Sequence, residues 1–452
     1  MLRTDSRKVC KGDTFLALKG VVTDGHDYIE KAIVNGASEI ICEHGDYGVT
    51  TTIVPDTRVY LADYLKETYK DKMDSFKFVG ITGTNGKTTS AYLTYQLLNK
   101  LGTKTAYIGT IGFYLNDEVK VLNNTTPDLM DLYDMFLECY DNDVKVIVME
   151  VSSHALELGR VLGLEFDVVA FTNLTQDHLD VHGNFENYLK AKQKLFDMLK
   201  KDGTAIINID DSYGKYFLFD KNNNITYGMG NSNYQIVNYD LKINNTHFTL
   251  KFNDNNYDVC IMIPGKYNIY NFLVALISIV SLGYKIVDVL KIGDIARTPK
   301  GRFDIVNYNS NVIVVDYAHT PDAVLNILKS VLEYREGSIY TIVGCGGNRD
   351  RTKRPIMGDI ATTYSDYVIF TNDNPRCEDE KQIMNDIVSK LDRDNYEVIY
   401  DRKQAIAKGM SLLKDKDVLL ILGKGHEDYQ IIGSEKIHFD DKETVLDIIN
   451  NK

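Results

Sequence analysis

GITGTNGKTTSAYL, residues 80–93, closes the apolar run KFVGIT (77–82) and opens a segment with helical character. A turn between strand and helix can bind an anion, because the first N–H groups of a helix have no intrahelical partner. Gly83 and Gly86 supply backbone freedom, Lys87 a cation for β- and γ-phosphates, and Thr88 a hydroxyl placed to ligate Mg2+. The common phosphate loop, G-x-x-x-x-G-K-[ST], requires glycine at 81, where this chain has Ile81. The spacing therefore predicts a tighter loop, residues Gly83, Thr84, Asn85, Gly86, Lys87, Thr88 and Thr89, with the turn starting at Gly83. A glycine-rich turn with an exposed lysine is the plainer reading. Strand, G-x-x-G-K-T-T and helix in register favour the nucleotide.

Around this loop the runs KFVGIT, TAYIGT, VKVIVMEV, VVAFTNL and TAIINI alternate with helical periodicity, the pattern of βαβ units and a mostly parallel sheet. A second alternating set runs from NVIVVDYA through IYTIVGCG, DYVIFTND and YEVIY to DVLLILGKG. Between the sets, IARTPKGRFD carries Pro299 and Gly301 and suits a linker. Residues 1–75 are short elements punctuated by Gly and Asp, and the polar YKDKMDSFK marks a boundary. The expectation is an α/β protein of three domains: 1–75, 76–299 and 300–452.

A chain of 452 residues exceeds one ordinary core, which fits that division. Six cysteines lack C-x-x-C spacing, which argues against a zinc ribbon or disulfide framework and fits a reducing compartment. No apolar run reaches the length of a membrane span, and MLRTDSRKVCKGD has no signal-peptide core, so a cytoplasmic protein is expected. The net charge of −13 disfavours nucleic acid as a partner.

Further along, VKVIVMEVSSH is a strand ending in Glu150, and strand carboxyl ends are where open parallel sheets gather ligand groups. A solvated acid is the plain reading; with Thr88 nearby in the pattern, a metal ligand is favoured. His178 and His182 stand at i,i+4, but no third zinc ligand is identifiable. The helix expected over NFENYLKAKQKLFDMLKK (184–201) has an apolar stripe of Phe185, Tyr188, Leu189, Leu195, Phe196 and Leu199. Lys192 falls inside that stripe, where it either snorkels or is buried with a partner.

TGTNGKTT heads an ordered series of blocks: TDSR before it, then NTTPD, MEVSSHALELGR, FTNLTQDHLDVHG, AKQKLF, GKYNIYNFLVAL, GRFD, VVDYAHTPDAV, GCGGNRDRTKRPIM, DNPR and GKGHEDYQ. Over nearly the whole chain they resemble the Mur ligase family, ATP-dependent amino-acid ligases of cell-wall precursor synthesis. The blocks are most similar to those of members that extend UDP-N-acetylmuramoyl-L-alanyl-D-glutamate. The resemblance implies ATP and Mg2+ as cofactors, with Glu150 and His178 as metal ligands and Lys192 carbamoylated as a further one. It places Asn268 and Asn271 by the base, and Arg302 and Asp316, with His319 in support, approaching the nucleotide. It assigns Ser6, Val21, Val22 and Thr23 to the uridine moiety, and Asn124, Thr125, Thr126, Ser152 and Arg160 to the sugar-peptide. Leu158 departs from a glutamine contact of relatives.

For the incoming amino acid the resemblance points to Asp373, Asn374, Pro375 and Arg376 of DNPR, with Arg349, Gly423 and Glu427. As bare chemistry, DNPR is a turn followed by a guanidinium. In the family an arginine here goes with meso-diaminopimelate, whose distal carboxylate it can bind bidentately. The implied partners are the UDP-linked dipeptide, a diamino acid and ATP, acting on a monomer. The same reaction with L-lysine or another diamino acid is the alternative, as is a folylpolyglutamate synthase-like ligase, against which the uridine-type first domain and DNPR speak. A GTP-dependent switch would need an N-K-x-D stretch, which is not found. A diverged, inactive protein is disfavoured by the chemically intact positions.

Overall fold

The computed structural model describes residues 1–20, 23–116, 118–177, 179–220 and 222–450. The chain forms two compact units. One comprises Met1–Phe76, Pro127–Asp143 and His154–Glu165, the other Lys77–Thr126, Val144–Ser153 and Phe166–Lys452.

The first unit holds a parallel sheet of four strands in the order Leu2–Arg3, Thr14–Leu16, Glu39–Cys42, Thr50–Ile53. Phe15, Ala17, Ile29, Ala32, Ile40 and Cys42 form its core. Helices Thr57–Thr68 and Leu129–Asp141 start at side-chain caps, Asp56 accepting from Arg58 and Val59 N–H and Asp128 from Leu129 N–H.

In the second unit, strand Lys77–Thr82 lies inside an eleven-stranded sheet, paired in parallel with Val146–Glu150 on one side and Phe166–Phe171 on the other. The runs read as strands from sequence occupy its parallel centre. The sequence pattern missed the antiparallel edges, strands Tyr234–Leu241, Thr246–Phe252 and Asn255–Ile261 at one end and Gly112–Leu115 with Glu118–Lys120 at the other. The second alternating set builds a six-stranded sheet whose central strand, Val418–Leu422, pairs in parallel with Asn311–Asp316 and Ile339–Val343. Among the described residues, no helix is long and apolar enough to cross a membrane.

One expected element is shorter than predicted. The helix expected over 184–201 covers Phe185–Asp197 only, and Leu199 starts the strand Leu199–Asn208. The last member of the apolar stripe, Leu199, is half-buried at the start of that strand and falls on the helical period, so periodicity alone could not mark the junction.

Candidate functional site

Ile81 explains the missing glycine. It is fully buried and still in the strand, paired with Glu150 and Ala170, so the chain turns only at Gly83. Gly83 has φ +148, and a Cβ there would sit 1.9 Å from Thr172 Oγ1. Gly86, at φ +88, starts the helix Lys87–Lys100, and a Cβ there would meet Asn271 Oδ1 at 2.5 Å. Both positions thus need glycine for conformation and for space.

The loop is braced by the segment after the neighbouring strand. Thr84 N donates to Asn173 O and Asn85 N to Asn173 Oδ1, each at 2.8 Å, while Thr172 Oγ1 donates to Asn85 O at 2.6 Å. Thr84 Oγ1 also meets the buried Tyr188 hydroxyl at 3.1 Å. In the sequence, Thr172 and Asn173 fall within the strand run VVAFTNL, which marks no role for them. Their polarity at a strand end was the available signal.

Two lysines converge on this turn. Lys87 Nζ donates to Gly83 O at 2.8 Å and Thr84 O at 2.9 Å. Lys192, only 1% exposed, donates to the same Gly83 O at 2.8 Å and lies 4.4 Å from the Tyr188 ring centroid. Burial pushes the Lys192 amine well below its ordinary pKa, and the Lys87 charge adds to that. Lys87 is also lowered by desolvation, against the pull of Glu150 and Asp177. Lys192 therefore is buried, as its place in the stripe suggested, and does not snorkel.

Glu150 is fully buried. Its Oε1 accepts from the Tyr107 hydroxyl at 2.5 Å and Thr110 N at 2.8 Å, and its Oε2 from Thr88 Oγ1 at 2.9 Å and Thr110 Oγ1 at 3.2 Å. It is thus no solvated strand-end acid. Paired hydroxyl and carboxylate oxygens at a phosphate loop are the hard donors Mg2+ takes alongside substrate phosphates, so this donor set fits that ion. Among the described residues no cluster of three or more His, Cys, Asp or Glu is placed to hold a metal. His178 lies outside the described residues. His182 is buried, with Nε2 3.0 Å from Ser153 Oγ, a satisfied core histidine.

Asn268 and Asn271 are buried on helix Lys266–Ser281, which packs against Lys87–Lys100. Asn271 Nδ2 donates to Asn268 Oδ1 at 2.9 Å, and Asn271 Oδ1 faces Gly86 and accepts from Ser90 Oγ at 3.4 Å. From the six-stranded-sheet region, Arg302 reaches Thr88 Oγ1 at 3.3 Å and lies 4.3 Å from the Tyr317 ring centroid. Asp322 accepts from Asn85 Nδ2 at 2.9 Å, a second link to the loop that the sequence did not suggest. Asp316 is pinned by Phe303 N at 2.6 Å and Ala318 N at 2.7 Å; burial raises its pKa while Arg302 opposes the rise. Asp316 thus fixes the backbone that carries Arg302. His319 Nδ1 bonds Tyr317 O at 2.7 Å, and burial holds its pKa down to about 4.

A second polar cluster joins the DNPR turn to the GKGHE loop. Asn374 Nδ2 donates to Glu427 Oε2 at 2.8 Å, and Asn374 Oδ1 accepts from Ile431 N at 2.9 Å. Gly423 is at φ +113, and a Cβ would lie 2.6 Å from Asp373 Oδ2. Pro375 is buried, and its carbonyl packs so close to Gly347 that a Cβ there would meet it at 1.9 Å. Arg376, at φ +52, is half-buried and donates to Gly347 O at 2.9 Å. Its Nη1 and the Cγ of exposed Arg349 both border Gly346. Burial and Asp373 raise the Glu427 carboxyl, against Lys424.

Of the uridine residues, Ser6 is buried and Thr23 exposed in the first unit; Val21 and Val22 lie outside the described residues. Arg160, also in that unit, is half-buried. In the second unit Thr126 Oγ1 donates to Glu150 O at 2.9 Å and accepts from Ser152 N at 3.1 Å, Thr125 Oγ1 is 3.0 Å from Thr110 Oγ1, and Asn124 is exposed.

Three models of one family match the chain: its catalytic domain over 1–71, the Mur ligase middle domain over 81–279 and the glutamate ligase domain over 301–425. A UDP-N-acetylmuramoyl-L-alanyl-D-glutamate–2,6-diaminopimelate ligase of Clostridium botulinum is 43% identical, with 98% of this chain and 94% of that protein covered. A solved structure of a ligase with that name has a TM-score of 0.73 at 30% identity, covering 100% of this chain and 94% of the other. The MurF ligase of Thermotoga maritima, solved in complex with ADP, shares the fold at a TM-score of 0.67 and 20% identity, covering 100% and 97%. Together with the strand–loop–helix built around Lys87, these matches show that the chain belongs to the Mur ligase family.

Proposed function

We propose that the protein is an ATP-dependent amide-bond ligase adding meso-diaminopimelate to UDP-N-acetylmuramoyl-L-alanyl-D-glutamate in peptidoglycan precursor synthesis. The observation that carries this reading is one loop approached by Lys87, Lys192 and Arg302 beside the Thr88–Glu150 pair. In the reaction, a γ-carboxylate oxygen of D-glutamate attacks the γ-phosphorus of ATP and ADP departs, leaving an acyl phosphate. The diaminopimelate amine then attacks the acyl carbon, phosphate leaves with the bonding pair, and the nitrogen gives up a proton.

Lys87, the loop N–H groups and Arg302 bind the phosphates and offset the charge that develops during transfer. Thr88 and Glu150 would hold Mg2+, with His178 and a carbamoylated Lys192 completing the family's set; when bound, the ion neutralises phosphate charge. An ammonium cannot ligate a cation, whereas the carbamate of Lys192 can. A buried amine held neutral is the form that reacts with CO2, and the low pKa of Lys192 supports that modification. Gly83, Thr84, Asn85, Gly86 and Thr89 cradle ATP, with Asn268 and Asn271 behind the loop. Asp316 and His319 position Arg302.

Ser6, Val21, Val22, Thr23, Asn124, Thr125, Thr126, Ser152 and Arg160 bind the UDP-dipeptide. Asp373, Asn374, Pro375, Arg376, Arg349, Gly423 and Glu427 bind the diamino acid, Arg376 taking the distal carboxylate. The protein works in the cytoplasm as a monomer, with domains 1–75, 76–299 and 300–452. Phosphate release measured with ATP, the UDP-dipeptide and a panel of diamino acids tests the reading: turnover with meso-diaminopimelate well above that with L-lysine is expected. Preference for L-lysine would overturn the substrate, and no release with any amino acid would overturn the ligase.

A further inference from the structure

Lys424 is a cation with no place in the mechanism above, yet it is fully buried. A buried lysine stays in a fold only when its charge is met. Lys424 Nζ donates to the Tyr429 carbonyl, to Glu427 Oε2 at 3.3 Å and to Asn374 Oδ1 at 3.5 Å. These last two atoms belong to residues read above as amino-acid contacts, and Asn374 Nδ2 closes the triangle onto Glu427 Oε2 at 2.8 Å.

We infer that Lys424 is a positioning residue for the amino-acid site, fixing the Asn374 amide and keeping Glu427 as an anion that receives the ammonium of the incoming diamino acid. The inference rests on the assignment of Asn374 and Glu427 to that site. Lys424 and Ile431 N both address Asn374 Oδ1, so the amide nitrogen can only turn towards Glu427. The groups facing Glu427 are Lys424 and Tyr429 from its own loop, Asp373 and Asn374 from the DNPR turn, Tyr317 after the strand Asn311–Asp316, and Arg402 from helix Arg402–Leu412. Arg402 is committed to Asp441, at 2.7 and 2.8 Å, so among the described residues Lys424 is the cation bonded to Glu427. Without that cation, desolvation and the neighbouring Asp373 both push Glu427 towards the neutral acid, which carries no charge to hold an ammonium.

The test is steady-state phosphate release from pH 5 to 9 by the full-length enzyme, with Lys424→Met and with Lys424→Gln, which is neutral but can still donate to the Tyr429 carbonyl. The expected result is a KM for meso-diaminopimelate raised about tenfold or more, with its acidic limb displaced upward by roughly one pH unit. The KM for ATP should stay within about twofold, and Lys424→Arg should return the limb towards the wild-type position. An unmoved limb and KM in whichever neutral variant folds would overturn the inference, as would equal increases for ATP and diaminopimelate, the mark of a merely structural lysine. If neither neutral variant folds, Lys424→Arg decides: its charge should hold the limb at the wild-type position while its larger head group disturbs the Asn374 contact and raises the diaminopimelate KM alone, and a displaced limb or equal increases for ATP and diaminopimelate would overturn the inference. Failure of the substrate reading is separable, because it would show in wild-type enzyme as absent turnover with meso-diaminopimelate.

Discussion

At the phosphate loop two lysine nitrogens, Lys87 Nζ and Lys192 Nζ, donate to the same Gly83 carbonyl, whereas at the DNPR turn a third, Lys424 Nζ, meets a carboxylate, an amide oxygen and a carbonyl together. The first arrangement offers two lysines one shared backbone carbonyl in a buried site, which disfavours a second charge on Lys192. Among the described residues it leaves the Lys87 cation without a carboxylate bonded to it, which suits a polyanion such as a nucleoside triphosphate. The second is internally balanced, and it suits a zwitterion that brings equal charges of both signs. The carboxylate near the first pair, Glu150, accepts from Thr88, Tyr107 and Thr110 donors rather than from the lysines. Under the proposed assignments, a cation without a bonded carboxylate goes with the phosphate end and a cation paired within the fold with the amino-acid end.

Removing a cation from the unbalanced cluster should break function hardest. Lys87→Ala is expected to lower kcat for phosphate release about a thousandfold with an unchanged melting temperature, since it acts on charge that develops in transfer. Near-normal turnover in that variant would reject the nucleotide assignment of the loop.

Lys192→Ala should come next, with a loss of about a hundredfold or more, partly restored by a short carboxylate additive or high bicarbonate. Intact-protein mass spectrometry under non-acidic conditions gives the sharper readout. A fully active enzyme whose Lys192 carries no added carboxylate would refute the carbamate.

In the balanced cluster the expected losses are confined to one substrate. Arg376→Ala should raise the KM for meso-diaminopimelate and narrow its advantage over L-lysine, which is expected at roughly a hundredfold because a bidentate pair is worth about 2–3 kcal/mol. Parameters for ATP should move little. A preference left untouched by this variant would remove Arg376 from specificity.

The smallest effect concerns pH. Burial lowers the His319 pKa from 6.5 to about 4, so the unfolded chain binds a proton there that the folded one excludes. Stability should be fully present above about pH 6.5 and fall as pH drops towards about 4. The imidazole resonances of His319 should titrate near 4, and a midpoint at 6.5 would place the ring in solvent.

How much of this was legible in the sequence follows from what each signal measures. The loop, the parallel strands and Lys192 on an apolar face were readable because period and residue type report burial directly. The antiparallel edge strands were not, since Tyr234–Leu241 is half-exposed and carries a bulge after Ile236, which blurs strict alternation. The end of the helix at Asp197 was hidden for the opposite reason, because Leu199 at the start of the next strand falls on the helical period of the stripe.

By itself, the sequence determined the chemistry available: a shortened glycine-lysine loop, a strand-end carboxylate, a lysine among hydrophobes and an arginine after a turn. Tertiary structure decided which partners those groups have. Glu150 meets Thr88 across 62 residues of chain, Lys192 meets Gly83 across 109, and Asn85 meets Asp322 across 237. Hydrogen bonds act over about 3 Å and carry no trace along the chain, so only the packed sheets could bring these atoms together.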